Sequence, residues 1–458
     1  MLMRAQALRM TMSSTPISRK RNNNSRRTKI LVSILGFLCL SVLISGCSRT
    51  PKNNAGQSDS TGSAVLTSSL SEEQLAHIKE CNGRRVSSDQ PVELVVMNGG
   101  KPEPFAVLQP GQLIQLKEIS DPNLITSQYL PLDGMDQEGG AQVLVNALEV
   151  TPSGRWLNPT NHLLEKDFAV KLKAGTRMLD DNGETILTTS TDQQWLVYAQ
   201  KDGAYGVELQ GRIVWVDSAQ VEETIARPGS AGPAATSLPV LMYHFFYSEA
   251  DGQSRENVNF VEVEEFRGQL QALQDRGYIA LTMREVEMMM KGWADVPEKS
   301  VAITIDDGDP TVYQYAYPVL KDFGYNATLF LITGWMNPQL PYEFFQMRED
   351  GLELQSHSFL MHQGGCKAGH GGRILCVDHD EGVADTRQSL EYVDGGFVYC
   401  YPFGDVNDHA VEILQEAGVQ LAFTTEYGKI KPGMDLYRLP RIRVTGGAGL
   451  DRFIKSIE

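Results

Sequence analysis

Ser300-Val301-Ala302-Ile303-Thr304-Ile305-Asp306-Asp307-Gly308-Asp309-Pro310 is the stretch on which the fold turns. Val301 to Ile305 is short, apolar and rich in β-branched residues, the pattern of a strand buried on both faces in a parallel sheet. Two carboxylates follow it. Adjacent strand residues point to opposite faces, so Asp306 and Asp307 serve one site only where the strand ends and the backbone turns. Gly308 permits that turn. In α/β barrels the C-terminal strand ends are where catalytic groups collect. The competing reading makes Asp309 a helix cap, Pro310 the first helical residue, and the other acids solvated.

On either side of this strand the texture alternates between strands and helices. Val240 to Tyr243 is predicted as a strand ending at His244. Phe266, Leu270 and Leu273 recur at helical spacing, and Met283 to Lys291 is a second helix. Strands at Thr328–Ile332, Leu352–Gln355, Phe397–Tyr401 and Leu421–Thr424 follow. A helix over Ala410–Glu416 stops before Gly418, and a strand and helix close the chain between Leu439 and Ile457. That is about seven β/α units, the count of an incomplete α/β barrel, (β/α)7 in type.

Upstream the texture is β, in short alternating runs separated by Asn-Gly, Asp-Gly and Pro-Gly turns from about Pro91 to Glu223. Ala141–Val150 resembles Arg212–Val221, so the region contains a weak internal duplication. Its second half, Phe168 to Glu223, resembles a bacterial SH3-like barrel, and the first half is a more divergent candidate. Such barrels commonly contact cell-wall polymer. A spacer that only positions the next domain is the alternative. The expected boundaries are 47–84 for a tether, 85–158 for the divergent block, 159–226 for the SH3-like block and 227–458 for the barrel. Ala226 to Ser237 is a linker by composition.

The 458 residues carry 41 Lys and Arg. Eight of these lie in the first 46 residues, where no acid occurs, and the apolar run Ile30–Ile44 follows them. It is short for a membrane span and fits a secretory signal. Leu43-Ile44-Ser45-Gly46-Cys47 resembles a bacterial lipobox, which implies lipidation at Cys47 and an extracytoplasmic, membrane-anchored protein. An uncleaved signal anchor is the alternative. Beyond residue 46 stand 33 basic and 57 acidic residues, a balance of −24. Such a chain has no electrostatic footprint for nucleic acid. Outside the membrane, Cys81, Cys366, Cys376 and Cys400 are free to pair. Cys366–Cys376, closing a glycine-rich loop that also carries His370, is the expected bridge, with free thiols as the alternative. Metal binding by that segment, which runs on to His379, matches no standard zinc spacing.

His357 and His362 form a second constellation. On a helix they would stand about 140° apart and could not share a metal. At a strand end and on its following loop they can converge and, with one carboxylate, make a two-His, one-carboxylate set with a position open for water.

Thr304-Ile305-Asp306-Asp307-Gly308, His357-Ser358-Phe359-Leu360-Met361-His362 and Tyr401-Pro402-Phe403-Gly404 resemble, in order, three motifs of the polysaccharide deacetylases with a NodB-type domain. The resemblance spans roughly Ser237 to Glu458. The spacing of the two histidines and Leu241-Met242-Tyr243-His244 are similar to the subgroup acting on poly-β-1,6-N-acetylglucosamine. The resemblance implies a divalent metal, usually zinc, on Asp307, His357 and His362, with Asp306 as general base. It also implies the Phe403 N–H as an oxyanion donor, and Tyr401 and Pro402 beside the N-acetylglucosamine substrate. Two departures stand out. Cys400 occupies the place of the Arg that opens the third motif, and Leu439-Pro440-Arg441-Ile442-Arg443 stands where a late Leu-x-His supplies the acid. His244 is the expected acid in its stead, with a structural histidine as the alternative. A peptidoglycan- or chitin-type deacetylase, and a surface protein that holds sugar without cleaving it, are the competing functions.

Overall fold

The computed structural model describes residues 70–99, 101–119, 129–132, 143–154, 161–227, 232–336 and 339–458. The expected signal segment and Cys47 lie outside them. Among the described residues, no helix is long and apolar enough to cross a membrane.

The C-terminal half is a closed parallel barrel. Its strands are β1 (Val240–Tyr243), β3 (Ser300–Asp307), β4 (Thr328–Leu331), β5 (Glu353–Ser356), β6 (Val398–Cys400), β7 (Leu421–Tyr427) and β8 (Leu439–Arg443), with β2 (Ile279–Ala280) an extra strand outside β3. The ring runs β1-β8-β7-β6-β5-β4-β3 and closes where Val240–Tyr243 pairs with Ala302–Ile305. Seven strands therefore make a complete circle, and the expected incompleteness is one of strand count alone.

Helices wrap the ring: α1 (Val263–Asp275), α2 (Met283–Met290), α3 (Tyr317–Phe323), α4 (Tyr342–Glu349), α5 (His379–Tyr392), α6 (Asp408–Ala417) and α7 (Leu450–Ile457). Their ends follow local chemistry. Thr282 and Glu285 form a reciprocal capping box on α2. Asn407 accepts the Ala410 N–H at 2.8 Å to open α6. Gly418 at φ +94° closes that helix in the left-handed conformation that side chains resist.

The N-terminal part opens with a helix, Glu72–Cys81, capped by Ser71. Its β-rich blocks are not separate. Thr185–Thr189 pairs antiparallel with Lys101–Leu108, so strands from both blocks join one sheet, eleven-stranded among the described residues. The internal duplication is visible in three dimensions. Val143–Asn146 and Arg212–Asp217 each run into a single 3-10 turn and then another strand. In each, the side chain before the turn caps it: Asn146 accepts the Leu148 N–H at 3.1 Å, and Asp217 accepts the Ala219 N–H at 2.8 Å.

This β-rich part is packed on the floor of the barrel, at the N-terminal strand ends. Leu163, Tyr198, Ala199 and Trp215 share one apolar cluster with Leu238, Val296 and the methionines of α2. Gln200 donates to the Trp293 carbonyl at 2.8 Å, and the His162 N–H donates to Glu285 at 2.6 Å. Part of the linker expected between the halves belongs to this floor as well, since Ala235 donates to the Val296 carbonyl at 2.9 Å.

Candidate functional site

The central strand is buried along its length until its last residue. The turn inferred at Gly308 begins one residue earlier, because Asp307 itself adopts φ +74°. That conformation breaks the in–out alternation and lets both carboxylates reach the same end of the barrel. Asp309 does what the competing reading required: its carboxylate accepts the Thr311 N–H at 2.9 Å, and Pro310 begins a helical turn. The two readings of the stretch apply to different residues.

His357 follows β5, and its N–H donates to the Leu331 carbonyl at 2.8 Å. Ser358 is left-handed at φ +76°, which folds the next residues back over the strand end. That fold is clamped from α5, where the Asp385 carboxylate accepts the N–H groups of Phe359 at 3.0 Å and Leu360 at 2.6 Å. His362 thereby returns to His357, ring centroids 4.9 Å apart. The Nε2 atoms of His357 and His362 lie 3.4 and 3.6 Å from the Asp307 carboxylate. One ligand atom from each of the three residues lies within 4.8 Å of the others.

Phe403 is left-handed too, at φ +60°, and its ring lies 4.5 Å from that of His362. Five described non-glycine residues have positive φ, and Asp307, Ser358 and Phe403 are three of them. Unfavourable backbone geometry gathered at one end of a barrel points to a site. Phe403 reaches solvent, whereas Tyr401 and Pro402 are buried. Tyr401, expected beside the substrate, lines the cleft from its buried position, and Pro402, expected there too, is not among the lining residues.

The donor set fits a divalent cation. His357 Nδ1 donates to the Cys400 carbonyl at 2.7 Å, which turns Nε2 toward Asp307; that nitrogen hydrogen-bonds the carboxylate when protonated and would ligate a cation when not. Burial, then the neighbouring His357, lower the pKa of His362 and favour its neutral, ligating form. Burial raises the Asp307 carboxyl, but its hydrogen bond and attraction to His357 prevail and hold it low.

Asp306 is 2 % exposed and would pay heavily for its charge alone. The counter-charge is Arg441 of β8, itself 0 % exposed, with Nη1 2.8 Å from Oδ1 and Nη2 2.7 Å from Oδ2. Burial raises the Asp306 carboxyl, and the guanidinium overrides this and holds it well below the usual range. The charge missing from position 400 is thus supplied across the barrel from β8. The Cys400 thiol lies 3.0 Å from Arg441 Nη2 and 3.5 Å from Asp306 Oδ2, and burial pushes it up, toward the neutral form. It packs and hydrogen-bonds here. His244 ends β1 with Nε2 4.0 Å from Asp306 Oδ2, and burial lowers its pKa against the pull of both aspartates.

His244, Asp306, Asp307, His357, His362, Tyr401 and Phe403 line a cleft of about 380 Å³ that also includes Asn259, His370, Thr425 and Arg443. Sequence reasoning missed Arg441, Asp385 and the Cys400 carbonyl. Leu439-Pro440-Arg441-Ile442-Arg443 did carry one available signal, an arginine set in an otherwise buried strand.

Comparison with known proteins places this cleft in context. The profile of the family described as polysaccharide deacetylase matches residues 294–422. The poly-β-1,6-N-acetyl-D-glucosamine N-deacetylase of Staphylococcus epidermidis is 31 % identical over 211 residues, covering 43 % of this chain and 72 % of that protein. The solved IcaB structure from Ammonifex degensii is 25 % identical, covering 49 % of this chain and 99 % of that one, with a TM-score of 0.43. The Streptococcus pyogenes deacetylase PplD, solved with acetate, is 26 % identical over similar shares, 49 % and 99 %, also with a TM-score of 0.43.

Proposed function

The chain belongs to the polysaccharide deacetylase family, and from that premise we propose that it removes N-acetyl groups from an extracytoplasmic N-acetylglucosamine polymer, poly-β-1,6-N-acetylglucosamine foremost. The observation that carries the reading is the grouping of Asp307, His357 and His362 beside a separately paired Asp306.

The three grouped residues would hold a divalent cation, zinc by the character of the donors. Such a cation, when bound, lowers the pKa of water toward ~7 and polarises an acyl oxygen. Asp306, kept ionised and fixed in direction by Arg441, takes the proton from the attacking water. The Phe403 N–H faces the developing negative charge on the acetyl oxygen. His244, with Nε2 4.0 Å from Asp306, passes the proton that Asp306 took from water to the departing sugar amine as the C–N bond breaks. Water is consumed, and acetate and an ammonium-bearing glycan result. The polymer gains positive charge at each sugar processed.

The same reading has the protein exported and held at the membrane through lipid on Cys47. Its β-rich part, packed on the barrel floor, stands at the end away from the cleft.

Acetate release from poly-β-1,6-N-acetylglucosamine, set against peptidoglycan and against Asp306→Asn, tests the proposal. Release from the first polymer, abolished by the substitution, is expected. Equal release by the Asn variant would overturn the assigned base. Preference for peptidoglycan would overturn the assigned substrate.

A further inference from the structure

The Cys366–Cys376 disulfide closes a ten-residue separation, Cα atoms 5.9 Å apart, and the loop inside it carries His370 to the cleft wall. The loop folds on itself: Gly365 and Cys366 both donate to the Gly371 carbonyl, at 2.9 and 3.1 Å. Its second anchor is Asp405, 5 % exposed, just past the Tyr401–Gly404 motif. That carboxylate accepts the His370 N–H at 2.9 Å and the Gly372 N–H at 2.8 Å. The approach is so close that a Cβ at Gly369 would come 2.4 Å from the carboxylate. A Cβ at Gly372 would meet the same carboxylate at 2.8 Å and the Phe403 ring at 3.3 Å. The glycines are therefore required by contact, and the loop buttresses the ring that lies on His362.

Anchoring a loop needs only its backbone. Asp405 also takes the imidazole: His370 Nδ1 lies 3.0 Å from Oδ1. A carboxylate only accepts, so Nδ1 carries the hydrogen, and in the neutral ring Nε2 is left as an acceptor. The side chain is 73 % exposed, yet its direction is fixed by a buried partner. An exposed ring held rigid at a cleft wall, with one ring nitrogen unspent, is built to meet a ligand. We propose that His370 is a glycan-binding residue, accepting a hydroxyl hydrogen bond from a sugar in the cleft, and that the disulfide and Asp405 hold it in place. The inference rests on the cleft being a glycan site and adds one contact that helps to select the polymer.

Soluble β-1,6-linked N-acetylglucosamine oligomers provide the test, with KM and kcat read from acetate release and Kd from calorimetry. His370→Ala is expected to raise KM and Kd about five- to tenfold, one hydrogen bond's worth, with kcat within about twofold. His370→Gln, which keeps an acceptor, should recover part of the loss. The double variant Cys366→Ser/Cys376→Ser should raise KM in the same direction, while Lys367→Ala, exposed on the same loop, should change nothing. An unchanged KM and Kd for His370→Ala, or a loss confined to kcat, would overturn the proposal. Wild-type protein that binds the oligomer without releasing acetate would sink the hydrolytic reading alone, and the Kd comparison would still decide the role of His370.

Discussion

Arg441 meets Asp306 through two parallel hydrogen bonds, 2.8 and 2.7 Å, at a point where neither side chain is more than 2 % exposed. A pair this deep stabilises little by itself, but its members cannot be separated cheaply. Removing Arg441 alone strands a buried carboxylate, so Arg441→Met should cost about 3–5 kcal/mol and abolish acetate release. The double variant Arg441→Met/Asp306→Asn should be more stable than Arg441→Met, though equally inactive. Urea midpoints of the three chains check this. A double variant no more stable than the single one would show that the pair is not the source of the loss.

Metal content follows from the three donors. Asp307→Asn and His362→Ala should each lose about one equivalent of tightly held zinc relative to the wild-type chain, measured after dialysis against a weak chelator. His379, His409 and Glu412 also approach one another away from the cleft, so the comparison is a difference between chains. Wild-type-level zinc in both variants would remove Asp307 and His362 from the ligand set.

The residues legible in the sequence were those whose chemistry is local. Asp306, Asp307 and His357 sit at strand ends marked by apolar runs, His362 lies on the loop that follows one of them, and the structure brings the four together. Cys366 and Cys376 sit among glycines ten residues apart, and the structure bonds them. Less legible were partners set by the closing of the barrel. Arg441 lies 135 residues from Asp306 and is read as a plain strand residue until β8 pairs with β1. The same holds for Asp385, whose part in folding the His357–His362 loop depends on α5 packing beside β5. The β-rich part reads as two blocks of short alternating strands, joined to the barrel by a segment, Ala226–Ser237, that is a linker by composition. Its attachment is made by side chains such as Leu163 and Trp215 that are ordinary in any β domain.

That attachment makes a prediction of its own. Met283, Val286, Met288, Met289 and Met290 of α2 are all at most 4 % exposed, and part of what covers them is Tyr198, Ala199 and Trp215. A chain starting at Ser237 would expose this surface and deprive buried Glu285 of the His162 N–H. It should aggregate, or melt far below the longer chain, when followed by size-exclusion chromatography and thermal unfolding. In the intact protein, Trp215→Ala should cost about 3 kcal/mol. A well-behaved monomer from Ser237 onward, with the melting temperature of the parent, would make the β-rich part a dispensable neighbour.

Glu353 sets the pH dependence of stability outside the cleft. It begins β5, and its carboxylate accepts the Met283 N–H at 2.8 Å and the Thr328 hydroxyl at 2.9 Å. Burial, the largest influence, outweighs those hydrogen bonds, and the nearby Glu285 adds to it, so the carboxyl is pushed up from 4.5 to about 7. The folded state thus holds its proton where the unfolded chain has already lost it. The contribution to stability is complete below about pH 4.5 and is lost as pH rises through about 7. Glu353→Gln keeps an acceptor for Met283 and Thr328 without the charge. It should be more stable than the wild type at pH 8, on the order of 2–3 kcal/mol, with little difference at pH 4.5. Denaturant midpoints for the two chains at both pH values decide it. A stability difference that stays constant between them would mean that Glu353 ionises as freely in the fold as in the open chain.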